Sequence, residues 1–386
     1  EEVTLHELYN NALANHVPHV KLLDRRELLK REPNINKDVL MGLDLPTTTV
    51  CSPWEMALAS VENAILNGVE VKVDSRVDEI KYIDDHYEIT VNGNSKIHTS
   101  RIINAAGINS EVIARLVEED VEFKIKPRRG EYFTLDPKNK GFFNSVLYPL
   151  PTSLGKGVLI TPQVHGETLV GPTSEDISDG RENLVTSEGL HKIITDAKRI
   201  SPNIPFGTNI RNFAGVRAKS SYEDFYIKES KTCQGFYHVA GIDSPGLTAA
   251  PAIANYLIEM IKKDVVLVPK ANYISGRNYQ PLFRYLAKEE KIAAIKQNPL
   301  HGHIVCKCEN ITEADIVNAI NGVSGADTVK AVKKRTRAGA GICQGGYCER
   351  HVLALIAKHK NMKMTEINYY EADTPILLED IKRDQQ

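Results

Sequence analysis

The chain has 386 residues, with 48 Lys and Arg against 50 Asp and Glu, for a formal net charge of −2. This length predicts two or three domains, and the balanced charge without a long basic run argues against nucleic acid as a partner. No apolar stretch reaches the roughly 18–20 residues that cross a bilayer, and the acidic start at residues 1–6 is unlike a signal peptide. We therefore expect a cytoplasmic protein with no transmembrane segment.

The first part of the chain predicts helices and short strands in a mixed order. Ser52 and Pro53 are typical of an N-cap followed by a first-turn proline, so a helix is expected over residues 52–67. Alternating apolar residues with turn signals between them then predict strands at 69–73, 77–83, 87–91 and 96–103. A helix is expected at 110–117, where the small residues after the last strand end.

A mostly antiparallel sheet is predicted between residues 119 and 212. Its strands are expected at 130–135, 145–150, 157–161 and 168–170, followed by a helix at 182–200. Further strands at 210–217, 224–229 and 236–239 precede a helix at 246–262. Residues 268–300 are interpreted as a linker, 301–365 as a small helical domain and 366–386 as a C-terminal tail.

Four of the six cysteines form two close pairs near the C-terminus, Cys306 with Cys308 and Cys343 with Cys348. Thiolates are soft ligands that suit iron–sulfur clusters and zinc, and a metal centre would stabilise so small a domain. The C-x-C spacing is unusual for zinc ribbons, where C-x2-C prevails. A cluster is favoured, and a structural zinc or an empty site are the alternatives.

Two segments around these cysteines, residues 306–316 and 336–348, resemble the domain of bacterioferritin-associated ferredoxins, which is also appended to some flavin dehydrogenases. The C-x4-C spacing of the second pair is similar to the enzyme-appended version. The resemblance implies that Cys306, Cys308, Cys343 and Cys348 ligate one [2Fe–2S] cluster.

Residues 1–267 resemble the D-amino-acid-oxidase superfamily of FAD-dependent oxidoreductases, on segments 102–107 and 240–251. The resemblance implies an α/β (α+β) fold with Rossmann-like FAD-binding parts at about 52–118 and 213–265 and an antiparallel substrate sheet at about 119–212. It also implies which residues contact FAD: Val77, Ala106, Gly107, Gly241, Gly246, Leu247 and Thr248.

Segments 126–132, 166–173 and 213–217 are similar to the branch containing glycerol-3-phosphate dehydrogenase and L-2-hydroxyglutarate oxidase. This likeness implies that Arg217 binds the anionic group of the substrate, since a guanidinium presents a planar fork of donors to phosphate or carboxylate. Arg129 is a second candidate and Arg128 an alternative to it. Packing is the favoured role for three other residues, Tyr132, Tyr148 and His238. No catalytic acid or base is assigned.

Members of this superfamily begin with a strand, a G-x-G-x-x-G turn and a helix, and the sequence contains no such segment. We therefore expect an incomplete FAD site whose first part is lost by truncation or proteolysis or is supplied by a partner subunit. The isolated chain is expected to bind FAD weakly or not at all, and to be inactive by itself.

The resulting hypothesis is an FAD-dependent dehydrogenase of a small anionic substrate, with glycerol 3-phosphate as the first choice. Electrons would leave through the [2Fe–2S] cluster to a quinone or protein acceptor, and peripheral membrane association is left open. The alternatives are an L-2-hydroxyglutarate oxidoreductase or an amine or amino-acid (opine-type) oxidoreductase. A reading of another class is an electron-transfer or iron-sensing module on a degenerate scaffold.

Overall fold

The computed structural model describes residues 1–151 and 155–379. It divides into two compact units. Residues 1–50 and 75–268 form the first, called the body below, and residues 51–74 and 269–386 form the second, called the cysteine unit.

Helices and strands are numbered along the chain. The helices are α1 Glu2–Ala14, α2 Arg25–Arg31, α3 Pro53–Leu66, α4 Ser110–Ala114, α5 Ser187–Ile200, α6 Gly246–Ile261, α7 Lys288–Gln297, α8 Glu313–Asn321, α9 Val329–Thr336 and α10 Glu349–Lys360. The strands are β1 Lys21–Asp24, β2 Met41–Asp44, β3 Val77–Ile83, β4 His86–Val91, β5 Ser95–Thr99, β6 Ile102–Asn104, β7 Ile125–Leu135, β8 Leu159–Pro162, β9 Thr168–Gly171, β10 Glu175–Asp176, β11 Asn209–Ser220, β12 Tyr226–Glu229, β13 Phe236–Ala240, β14 Ile304–Cys306 and β15 Ile311–Thr312.

The largest sheet of the body is built around the long strand β7. β11 pairs with β7 in antiparallel fashion along its whole length, while β9 and β10 pair with separate stretches of β7. Phe133 and Leu135 of β7 point toward a buried core that also contains residues of α5 such as Ile193. Because side chains alternate along a strand, the even-numbered residues of β7 face away from this core.

A second sheet of the body contains a parallel pair of strands. β13 pairs parallel with β6, with His238 opposite Asn104, and β12 adds an antiparallel strand. Since parallel strands run in one direction, the segments that follow β6 and β13 leave the sheet at the same edge. The third sheet, β3–β4–β5, packs through Ile80 and Tyr87 against Phe236 of β13.

The cysteine unit has a separate apolar core formed by its helices. Its most deeply buried side chains are Ile311, Ile316, Ile320, Val332, Ile356 and Ile367. Cys306 and Cys348 belong to the same core. At the start of α8, the Thr312 hydroxyl accepts from the Asp315 N–H and the Asp315 carboxylate accepts from the Thr312 N–H, and together these bonds form a capping box.

The fold class and most elements agree with the sequence analysis, but two predicted strands are wrong. Residues 69–73 form no strand, although the Ser52 cap and Pro53 start α3 as expected. Residues 145–150 contribute only an isolated bridge at Leu147. Both segments carry apolar residues without a neighbouring strand along their length, so alternation alone was misleading.

The division into units also differs from the expected domain boundaries. Helix α3, expected in the FAD-binding part 52–118, belongs to the cysteine unit, where Glu62 accepts from Arg277 and from Ser324. The expected linker 268–300 contains α7 and packs as part of the same unit. The expected tail contributes Ile367 to the core, and its residues 380–386 lie outside the described part, as do residues 152–154 of the predicted substrate sheet.

Asp315 ties this supposed linker to the cysteine unit, and its loss should weaken the unit. Its buried carboxylate accepts from the N–H of Phe283 at 3.1 Å and from both the N–H and the hydroxyl of Thr312. We expect Asp315→Ala to lower the free energy of unfolding by about 2–4 kcal/mol, because it leaves buried donors without acceptors. Urea-induced unfolding followed by circular dichroism measures this change.

The matched control for this prediction is Thr328→Ala, which removes the cap of α9. Thr328 accepts a single hydrogen bond there, from the N–H of Ala331 at 3.2 Å. The expected loss is about 1 kcal/mol. A loss for Asp315→Ala no larger than that of the control would contradict the prediction.

Candidate cofactor and substrate sites

The structure brings the four cysteines together as two pairs, each with one member from each motif. The Sγ atoms of Cys308 and Cys343 lie 3.6 Å apart. Cys306, at the end of β14, forms a thiol–thiol hydrogen bond with Cys348, which precedes α10. Cys306 and Cys348 are buried, whereas Cys308 is exposed and Cys343 half-buried. One end of the set therefore faces the core and the other faces solvent.

The surroundings of the cysteines favour thiolate at two positions. The hydrogen bond from Cys348 lowers the pKa of Cys306 to about 6 despite burial, with help from the backbone N–H groups of Gly339 and Glu309. The same interaction and burial raise the pKa of Cys348. Burial opposes ionisation of Cys343, yet backbone N–H groups of Tyr347 and Gly345 bring its pKa below the ordinary value. Thiolates are the form of cysteine that binds metal.

This arrangement supplies the four thiol ligands that a two-iron cluster requires. Among residues 1–151 and 155–379, no three His, Cys, Asp or Glu side chains are close enough together to hold one metal ion. Structural zinc requires four donors around one centre, whereas a [2Fe–2S] cluster is held by four thiolates shared between two irons. Two separate cysteine pairs match the second requirement.

In the body, small residues collect where β6 and β13 end. Ala106 and Gly107 follow β6, and Gly241 follows β13, both glycines with positive φ angles of 59° and 66°. Such backbone is accessible to glycine at little cost and leaves room for a ligand to approach. In open sheets with parallel strands, ligands bind outside the carboxyl ends of the strands. Ala106 and Gly107 are exposed there.

The other predicted FAD contacts are distributed around this edge and beyond it. Gly246 begins α6, and Leu247 and Thr248 are exposed in its first turn. Val77 begins β3 in another sheet and packs against the core cluster that includes Phe236. The structure therefore groups the glycine-rich segments after β6 and β13, and it places Val77 in a separate sheet.

The solvent-facing side of the large sheet presents a row of cations. Arg217 lies opposite Arg128, and Lys219 lies opposite Lys126, on the side away from the α5 core. Arg128 forms a two-point ion pair with Asp176, whose pKa is lowered chiefly by Arg128 and also by Lys219 and Lys126. These four basic residues, called the basic face below, form a positive surface.

Arg217 differs from Arg128, the other arginine of the basic face, which is held by Asp176. The Arg217 guanidinium donates to the backbone oxygen of Thr173 at 3.1 Å, and within the described residues no carboxylate pairs with it. It bends over Gly130, where an added Cβ would lie 2.5 Å from the Arg217 Nη2. Gly215 lies opposite Gly130, and an added Cβ would meet nothing within 4 Å there.

A stacked aromatic pair borders the open space at Gly215. Tyr132 and Phe213 lie opposite each other with ring centroids 4.9 Å apart and an interplanar angle of 8°. Packing was the predicted role for Tyr132, and Phe213, Gly130 and Gly215 had no predicted role beyond their place in segments 126–132 and 213–217. Their common face follows from the register of β7 and β11, which single-residue patterns do not reveal.

Arg129 occupies the opposite face of the same strand. It is 7% exposed and its Nη2 lies 2.6 Å from Glu175, while its Nε lies 3.4 Å from the fully buried Glu131. These carboxylates engage the guanidinium that was expected to bind substrate. Of the remaining candidates, His238 is buried as expected, whereas Tyr148 is 55% exposed and the packing role expected for it is wrong.

The small residues after β6 and β13, namely Ala106, Gly107 and Gly241, are called the glycine edge below. This glycine edge adjoins the basic face within the body. An added Cβ at Gly241 would lie 2.4 Å from the Cβ of Ser220, the last residue of β11. Asp243, two residues further, adds to the larger effect of Asp176 in raising the pKa of Arg128. A ligand at the edge of β6 and β13 would therefore lie next to the strand that carries Arg217.

Three comparisons with known proteins agree with this architecture. Residues 1–260 match the family described as FAD dependent oxidoreductase, and residues 304–358 match the BFD-like [2Fe-2S] binding domain. The chain therefore belongs to the FAD-dependent oxidoreductases and carries a [2Fe–2S] binding domain, which confirms the predicted family and both cofactor classes. In the part of the chain that the structure describes, no helix has the length and apolarity needed to cross a membrane.

Within this family the chain is a homologue of glycerol 3-phosphate dehydrogenase. It is 39% identical to the glycerol 3-phosphate dehydrogenase of Caloramator mitchellensis, over 95% of this chain and 76% of the relative. It is 30% identical to the glycerol 3-phosphate oxidase of Mycoplasma genitalium, over 72% of this chain and 73% of the relative. The dithionite-reduced L-alpha-glycerophosphate oxidase of Mycoplasma pneumoniae with FAD bound matches with a TM-score of 0.68 at 27% identity, covering 73% of this chain and 74% of that one.

Proposed function

We propose that this protein oxidises glycerol 3-phosphate and passes the electrons to a [2Fe–2S] cluster held by its four paired cysteines. The observation that carries the proposal is Arg217, a guanidinium without a carboxylate partner among the described residues, on a face with three other cations. The names of the relatives at 39% and 30% identity support the choice of substrate.

The basic face would bind the phosphate group. Arg217 would donate to the phosphate oxygens, while Lys126, Arg128 and Lys219 raise the local positive potential. The open space beside Gly215 would admit the small carbon chain, with the Tyr132–Phe213 stack as its apolar limit. Arg129, the second predicted substrate residue, has both of its sides engaged by Glu175 and Glu131, so the proposal depends on Arg217.

The glycine edge would hold the cofactor. Ala106, Gly107 and Gly241 offer backbone at the carboxyl ends of parallel strands, and Gly246, Leu247 and Thr248 offer the first turn of α6. Val77 remains a predicted contact on the strand β3. Bound FAD would supply the two-electron oxidation of the substrate C–H bond. The role of the body would be to orient the substrate so that this bond faces the cofactor.

The cysteine unit would supply a one-electron outlet. Cys306, Cys308, Cys343 and Cys348 would ligate the cluster, with the exposed Cys308 on the side from which an acceptor can approach. The acceptor would be a quinone or a redox protein.

The proposed substrate is tested by anaerobic reduction of the enzyme after its content of bound FAD has been verified. Where this chain alone does not retain FAD, the strand, G-x-G-x-x-G turn and helix of the superfamily are supplied first, so that absence of bleaching reports on the substrate and not on a lost cofactor. We expect sn-glycerol 3-phosphate to bleach the flavin absorbance in a rapid-mixing experiment, whereas glycerol, which lacks the anion that Arg217 would bind, should do so poorly. L-2-hydroxyglutarate and glycine serve as the competing substrate classes. Bleaching by either of these, or by none of the compounds, in place of glycerol 3-phosphate would overturn the assignment.

A further inference from the structure

A buried carboxylate lies immediately beside the cysteine pairs. Glu309 follows Cys308 in the chain and is 3% exposed. Its backbone N–H donates to the sulfur of Cys306. At Gly341, an added Cβ would lie 2.4 Å from the Cβ of Cys308 and 3.1 Å from the Oε1 of Glu309. The carboxylate and the exposed cysteine therefore pack against the same glycine.

Two arginines from different segments hold this carboxylate. Arg337 donates through its Nε to the Glu309 Oε2 at 2.8 Å, and Arg284 donates to the same oxygen through its Nη1. Arg337 lies between α9 and the second cysteine pair, where it ends the helix with a left-handed φ of 72°. Arg284 comes from a 3₁₀ turn at Phe283–Tyr285, well ahead of residues 304–358.

Charges in such positions act on a redox centre without touching it. Glu309 and Arg337 have side chains that are 4% and 10% exposed, and the Arg284 side chain is 21% exposed, so solvent screens their fields only in part. One-electron reduction adds a negative charge to a cluster. A nearby carboxylate disfavours that step and a nearby guanidinium favours it, and such surroundings are among the factors that set cluster potentials.

We propose that the opposite charges of Glu309 and Arg284 set the reduction potential of the cluster. The segment ahead of residue 300, which carries Arg284, is then part of the electron-transfer centre. This inference rests on the proposal that the four cysteines hold a [2Fe–2S] cluster. It assigns a role to residues 268–300, which were predicted to be a linker.

The test is a redox titration of the cluster in the full chain, monitored by electron paramagnetic resonance. Glu309→Gln should raise the potential and Arg284→Gln should lower it, each by about tenfold in the ratio of reduced to oxidised cluster, which is about 59 mV for one electron. The double variant Glu309→Gln/Arg284→Gln should return close to the wild-type value. The charge-conserving control Arg284→Lys should stay there.

Shifts of the reduction potential that are opposite in the two single variants and cancel in the double variant indicate an electrostatic effect. Loosened packing would not produce this pattern. Shifts of the same sign in both single variants, or no shift with the cluster present, would overturn the inference. If Glu309→Gln does not retain the cluster, the comparison of Arg284→Gln with Arg284→Lys decides, and equal potentials refute the proposal. Wild-type protein without iron or acid-labile sulfide would instead refute the cysteine assignment on which the inference rests.

Discussion

Replacing Cys343 with alanine should remove the iron–sulfur cluster while leaving substrate-dependent reduction of the flavin in place. Cys343 is half-buried and pairs with the exposed Cys308, so the substitution removes one proposed ligand without opening the core that holds Cys306 and Cys348. Changes outside the ligand shell already cost 10–100-fold in metal affinity, so we expect iron and acid-labile sulfide to fall at least about tenfold. Elemental and sulfide analysis with visible absorbance measures this loss.

The control for this substitution is Cys51→Ala. Cys51 is exposed and stands outside the two cysteine motifs, so its removal should leave the iron and sulfide contents unchanged. Retention of the cluster in Cys343→Ala, or equal losses in the two variants, would contradict the proposed ligand set. Zinc without iron in the wild-type protein would contradict the cluster itself.

The second large effect is expected at the basic face. Arg217→Gln should raise the KM for glycerol 3-phosphate by about 10–100-fold, because a hydrogen bond between charged groups contributes about 1.5–3 kcal/mol and tenfold in affinity corresponds to about 1.4 kcal/mol. Gly130→Ala should act in the same direction without changing any charge, since its methyl group would fall 2.5 Å from the Arg217 Nη2. Steady-state kinetics with an artificial electron acceptor measures both.

Lys192→Gln provides the matched control, because it removes one positive charge from a side chain that is 59% exposed on α5, which packs on the other side of the sheet from the basic face. Its KM should stay within about twofold of wild type, as expected for an exposed charge remote from the site. An unchanged KM in Arg217→Gln, or an increase in the control as large as in Arg217→Gln, would show that Arg217 does not bind the substrate anion.

Local signals in the sequence were sufficient for much of this molecule. Ser52 and Pro53 located the start of α3, and the spacing of the cysteines located the centre that the BFD-like domain match then supported. Both depend on residues close together in the chain. The same holds for the capping box of Thr312 and Asp315, whose two partners lie three residues apart.

Features that depend on distant residues were missed for a common reason. Arg217 bends over Gly130 because the register of β7 and β11 places Gly130 opposite Gly215, two residues from Arg217. Glu309 is bound by Arg284 and Arg337 because the fold brings these distant residues to it. Contacts between residues so far apart in the chain cannot be predicted from local propensity. The strand predicted at residues 69–73 was wrong for the converse reason. Its apolar residues alternate locally, but no distant strand in the described part of the chain pairs with them.

The cysteine unit is discontinuous along the chain, and this limits how it can be transplanted. A graft of residues 304–358 into another protein would leave behind Phe283, whose N–H binds Asp315, and Ile367, which is fully buried in the core. It would also omit Glu62, the α3 carboxylate that accepts from Ser324. The smallest transferable form of this unit therefore combines residues 51–74 with a stretch that begins near residue 269. Domain shuffling that followed the borders of the matched domain would transfer only part of the unit.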